Sequence, residues 1–158
     1  MRKALHHLFV SAFVYGGLAL ASGLFFREFT KANGFPEGGV TQLGLAHTHL
    51  FSLGFFPFLI LLGLERAFRL SAAPKLFAWF LWLYHAGIVV TAGMLVVHGT
   101  LTVLGIASSP MISGIAGLGH IALTAAIIVL FFLIRAAIRR TPADDAGAVP
   151  PPSELRGA

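Results

Sequence analysis

The sequence predicts an all-α integral membrane protein: a bundle of four transmembrane helices with both termini on the cytoplasmic side. Three observations predict it. The 158 residues are 57% hydrophobic and only 11% charged, where a soluble domain carries about 25% charged residues. The apolar residues gather in four segments, about 5–26, 43–64, 76–104 and 111–134, each reaching the roughly 20 residues that cross a bilayer core as a helix. Lysine and arginine, finally, collect on one side of those segments. Strands find no supporting alternation, and in hydrocarbon a helix satisfies its own backbone hydrogen bonds.

The first segment begins after Arg2-Lys3 and runs to Phe26. Its basic start and Ala19-Leu20-Ala21 also fit a cleavable leader, but the apolar run continues past that site, and His6 and His7 stand near its start. A retained first helix is the expectation. The connection REFTKANGFPEGGVTQ (27–42) is polar and holds turn formers in Asn33-Gly34, Pro36 and Gly38-Gly39. The second segment opens with AHTHL (46–50) and is followed by the short basic link ERAFRLSAAPK (65–75). The third segment is joined to the fourth by an uncharged link around GIASSP. Residues 1–140 thus form one membrane domain. The tail 141–158, rich in proline and poor in apolar residues, is expected to be disordered.

Arg2, Lys3, Arg66, Arg69, Lys75, Arg135, Arg139 and Arg140 fall on one side of the spans, against only Arg27 and Lys31 on the other, which Glu28 and Glu37 offset. That asymmetry assigns both termini to the cytoplasm and the protein to the cell membrane. It also accounts for the net charge of +5 without a nucleic-acid partner. The absence of cysteine excludes disulfides and thiolate metal sites. Glu28 and Glu65 lie at membrane edges, so no carboxylate pair is placed for acid–base work, and no catalytic residue or stand-alone enzyme is indicated.

The histidines carry what chemistry there is. At about 1.5 Å per residue, His49 lies roughly 25 Å up from Arg66, His120 roughly 22 Å up from Arg135 and His98 roughly 34 Å along from Lys75. These three belong to the outer half, while His85, about 15 Å from Lys75, lies near mid-membrane. His47 and His49 are about 200° apart on a helix and cannot both face the interior. At α-helical spacing the His49 face carries Ser52, Phe56, Ile60 and Gly63, the His98 face Met94, Thr91, Gly87 and Tyr84, and the His120 face Ser113, Gly117 and Thr124. In the first helix Ser11, Tyr15 and Ser22 share a face. Each helix therefore presents a stripe of small or hydrogen-bonding residues, as membrane helix interfaces prefer.

Intramembrane histidine is a functional hypothesis by default, and neutral imidazole suits iron, copper, zinc and nickel. His49 and His120, level on different helices, would be the two axial ligands of a haem b, with His98 at its propionate edge. The alternative is a bare copper, zinc or iron ion held by His49, His98 and His120, with Met94, His47 and His85 as secondary candidates. Tyr15, Ser22, Ser52, Thr91 and Thr124 would support the ligands. His6 and His7 read as interfacial residues beside Arg2 and Lys3. Such a protein would serve electron transfer, sensing or respiratory-complex assembly, with the lipid bilayer, a second copy or a redox membrane protein as partner. The rivals are a cofactor-free interaction protein whose histidines join helices by hydrogen bonds, and an oligomeric carrier of a metal or small solute.

LFFREFTKANGF (24–35), QLGLAHTHLFSLG (42–54), LVVHGTLTVLG (95–105) and ISGIAGLGHIALT (112–124) together resemble an uncharacterised family of small bacterial four-span membrane proteins, domain of unknown function 2871. The resemblance covers the spans and implies the fold and the membrane location, but no activity. AHTHL is also similar to histidine-bearing helices of haem–copper oxidase subunit I and related haem-binding membrane proteins. That similarity implies His49 or His47 as a haem ligand. It is confined to this segment, since the chain lacks that family's copper-ligand histidines and twelve-helix frame.

Overall fold

The computed structural model describes residues 1–140; the tail 141–158 lies outside the described residues. Helix α1 spans Arg2–Ala32, α2 Leu43–His49 and α3 Phe56–Phe68, with a π-helical segment, Leu50–Phe55, joining α2 to α3 without a break. Helix α4 spans Pro74–Val103 and α5 Pro110–Ile138. Among the described residues there is no strand, and four helices, counting Leu43–Phe68 as one, are long and apolar enough to cross a membrane. Phe13, Trp82 and Phe131 point outward, at 74%, 76% and 69% exposed. Such large outward-facing apolar side chains would be a liability in water and match a hydrocarbon solvent.

The helices outrun the apolar segments. α1 continues through the polar REFTKA and closes at Asn33, whose side chain and backbone N–H both donate to the Phe29 carbonyl. Hydropathy marks where lipid contact ends, whereas a helix stops only where the backbone is capped or turned. α4 and α5 both begin on a proline, which has no N–H to leave unpaired in the first turn. α3 ends at Arg69, held at φ 49° in the left-handed region, and Glu65, fully buried, accepts the backbone N–H of Ser71 across this turn at 2.9 Å.

α4 packs most extensively on α5, the second span packs along α1, and the two pairs join where α2 crosses α4. That crossing is close: a methyl on Gly99 would overlap the Leu43 backbone, and the Thr41 hydroxyl donates to the Gly99 carbonyl at 2.9 Å. α1 meets the π segment in the same way, since a Cβ on Gly54 would come within 2.7 Å of Tyr15. Small residues that let backbones approach replace the hydrophobic effect as the source of helix association in lipid. Between these crossings Leu8, Phe58, Phe80, Ile88 and Leu133 are buried in the core. Arg140 donates to the Arg69 carbonyl at 2.9 Å, so the basic ends of α3 and α5 lie together at what is called here the basic end.

The π segment has a local cause. Pro57 has no N–H to give the Leu53 carbonyl four residues back, and the Phe56 N–H reaches five residues back to Phe51 instead. The freed Leu53 carbonyl accepts the Tyr84 hydroxyl from α4 at 2.8 Å. Wider winding lets buried positions recur every fourth residue, at Ala46, Leu50, Gly54 and Phe58. The face assigned at α-helical spacing from His49 is thereby corrected: Ser52, Phe56, Ile60 and Gly63 are all exposed.

Candidate functional site

The histidine on each of three helices is brought to one place. His49 on α2, His98 on α4 and His120 on α5 line a single cavity of about 220 Å³ in the half of the bundle away from the basic end, together with Gln42, Thr91 and Met94. The inward stripe of α4 delivers His98, Met94 and Thr91. On α5 the buried stripe runs through Gly119, Leu123 and Ala126, so His120, one residue from Gly119, reaches the cavity from an exposed position at its rim. Gly119 marks a close contact with α4, since a Cβ there would come within 2.5 Å of the Thr91 hydroxyl.

Two of the rings have a determined tautomer. The Nδ1 of His49 lies 2.9 Å from the Leu45 carbonyl, and the Nδ1 of His120 lies 3.1 Å from the Ala116 carbonyl. A carbonyl oxygen only accepts, so in each neutral ring Nδ1 carries the proton and Nε2 keeps a free lone pair. This is the arrangement in which a histidine coordinates through Nε2 while its other nitrogen is anchored. The cavity walls also hold three buried polar atoms without a partner: Gln42 Oε1, Thr91 Oγ1 and His98 Nδ1. Buried polar atoms are nearly always hydrogen-bonded, and three exceptions around one cavity mark a place where a polar partner belongs.

The remaining candidates fall elsewhere. His47, two residues from His49, turns toward α1, where a Cβ on Gly23 would contact it at 3.7 Å. The Ser22 hydroxyl donates to the Ala19 carbonyl and that of Thr124 to the His120 carbonyl. Ser52 faces outward. Tyr15 is not near the cavity's histidines but in a second cluster nearer the basic end, with His85: its hydroxyl lies 2.7 Å from His85 Nδ1. The Nε2 atoms of His85 and His7 are 3.3 Å apart, and the Ser11 hydroxyl lies 3.5 Å from the same His85 nitrogen. Phe58 stacks on both Tyr15 and His85.

This second cluster, and His7 and Gln42 as participants in any site, did not emerge from the sequence reading. His7, Ser11 and Tyr15 do stand at steps of four on α1, a helical face that connects the interfacial histidine to the interior. Among the described residues no three histidine, cysteine or acidic side chains come close enough to hold an ion between them. No curated protein and no solved structure matches the chain. One family matches it over residues 5–137, nearly the whole of the four helices, and the chain belongs to that family, the proteins of unknown function DUF2871.

Proposed function

We propose that the protein binds haem b in the outer-half cavity, with His49 and His120 as axial ligands through Nε2, and serves as a small membrane haem protein. The observation that carries this reading is the pair of anchored rings on separate helices, each with its Nε2 lone pair free at the same cavity. The unpartnered Thr91 hydroxyl and His98 Nδ1 are potential donors to haem's propionates. The His49 and His120 bonds stay within their own helices, which favours a ligand at this cavity over the cofactor-free rival, in which histidines join helices by hydrogen bonds. Haem needs only two histidine ligands, whereas among the described residues no three such side chains are grouped to hold a bare ion. The cavity, at about 220 Å³, is smaller than the roughly 300 Å³ and upward of enclosed ligand pockets. A haem held by His49 and His120 would need space beyond the cavity, and α5 offers it where nothing packs on Gly114 or Gly117. Bound there, haem supplies one-electron redox chemistry.

In this reading both termini are cytoplasmic, on the strength of the arginines and lysines at the basic end. The cavity then faces the outer leaflet of the cell membrane.

The test is spectroscopic. The full chain, expressed with haem supply and purified in mild detergent, is expected to show a Soret band that shifts on reduction, with about one iron per chain. His49→Ala and His120→Ala should each abolish the bis-histidine spectrum, while His47→Ala should leave it. A chain that stays colourless and metal-free after haem reconstitution sinks the proposal and leaves the interaction-protein reading.

A further inference from the structure

A different part of the molecule carries a second site. We propose that the groove on the lipid-facing side of α4, where His7 and His85 meet, binds a lipid-soluble quinone or quinol. The groove, about 490 Å³, is lined by His7, Leu81, Trp82, His85, Ala86 and Val89, a size within the roughly 300–1,000 Å³ of small-molecule sites. It adjoins a second apolar hollow against Lys75, Ala78 and Trp79, which extends the trough toward the basic end. Everything in it is apolar except the two imidazoles, so its ligand must be an apolar molecule with one polar, hydrogen-bonding end. It opens to lipid, so that ligand arrives through the membrane.

The chemistry behind the histidines narrows the class. Tyr15 O–H lies 2.7 Å from His85 Nδ1, and His85 Nε2 lies 3.3 Å from His7 Nε2, with the ring centroids 5.5 Å apart. Tyr15 is buried, His85 half-buried and His7 exposed, so the chain of contacts runs from the interior out to the groove. A hydroxyl both donates and accepts. When Tyr15 donates to Nδ1, His85 presents Nε2–H; when Tyr15 accepts from Nδ1–H, His85 presents a bare Nε2. The pair therefore offers a donor or an acceptor, through His7, by a change of imidazole tautomer: one proton leaves His85 Nε2 as another is taken up at Nδ1, and the Tyr15 hydroxyl turns from donor to acceptor. A quinone head presents carbonyl acceptors and its quinol form presents hydroxyl donors, and this pair can meet both. A sterol or diacylglycerol head needs no such adjustment. Trp82, 76% exposed, gives a flat face on which a quinone ring can stack.

The chain contains two tryptophans, which makes the site directly observable. In the full chain carrying Trp79→Phe, reconstituted in phosphatidylcholine nanodiscs, Trp82 fluorescence is followed while a short-chain ubiquinone analogue is added. Quinones quench indole on contact, and the expected result is saturable quenching. His7→Ala and His85→Gln should each raise the half-saturation concentration about 10-fold, the loss of about 1.4 kcal/mol. Tyr15→Phe should change the ratio of quinone to quinol affinity more than it changes either alone. His49→Ala should leave the titration unchanged, so the result stands or falls apart from the haem proposal. Because His7 is exposed, its substitution leaves the packing intact. Quenching that climbs linearly with quinone and is equal for the converse Trp82→Phe chain overturns the assignment, as does a titration that neither histidine variant moves. A groove filled by acyl chains gives those results.

Discussion

Thr91→Val is the sharpest perturbation of the histidine-lined cavity. Thr91 is 3% exposed, and its hydroxyl has no partner. A buried polar group left unpaired costs about 1–3 kcal/mol, and valine replaces the hydroxyl with a methyl of nearly the same shape. Glycine at 119, directly against Thr91 on α5, presents no Cβ for that methyl to meet. Part of the gain is offset because Thr91 already sits tightly there, so the ligand-free variant should be more stable by about 1 kcal/mol. Thr91→Ser keeps the hydroxyl, removes the methyl and should lose about 1 kcal/mol as a small cavity. The assay is equilibrium unfolding of the full chain in mixed micelles at increasing SDS fraction. With haem bound the sign reverses: if the hydroxyl meets a propionate, Thr91→Val weakens binding by about 10-fold. Destabilisation of the ligand-free protein by Thr91→Val, by 1 kcal/mol or more, would refute the reasoning, because the hydroxyl would then have a partner within the protein.

Tyr84→Phe should destabilise the bundle by about 1–2 kcal/mol, since it strips the partner from the Leu53 carbonyl that Pro57 cannot serve. Pro57→Ala restores a backbone N–H there and should rescue Tyr84→Phe in part, a coupling of about 1 kcal/mol read in a double-mutant cycle; strictly additive losses would count against the proposed origin of the π segment. Gly99→Ala forces a methyl into the Leu43 backbone and should abolish folded protein in size-exclusion profiles, whereas Gly114→Ala, with open space around it, should elute as the native chain.

The four helices were legible in the sequence because their signal is local and large: runs of some 20 apolar residues, interrupted by polar links with turn formers. The three histidines of the cavity were legible for a related reason. Rise per residue and antiparallel connection put His49, His98 and His120 in the same half, and the inward stripe through Met94 and Thr91 follows from helical spacing alone. Rotation about a helix axis was less secure. On α5 the inward stripe is set by contact with α4 at Gly119 and Leu123, one residue from the His120 face that spacing suggested. In the second span the register shifts at Pro57, and Ser52 turns outward.

By itself the sequence determined that this chain forms four helices long and apolar enough to cross a membrane, where their apolar stretches lie, and which half holds His49, His98 and His120. Those properties depend on neighbours along the chain. Only the tertiary structure decided that Tyr15 belongs with His85 and His7 rather than with the cavity, and that Tyr84 completes the backbone of a helix 31 residues away. It also decided that Gln42, Thr91 and His98 are left without partners around one space. Each is a meeting of side chains from different helices, and which faces meet is set by where glycines let the backbones touch, Gly54 of the π segment against α1 and Gly99 of α4 against α2.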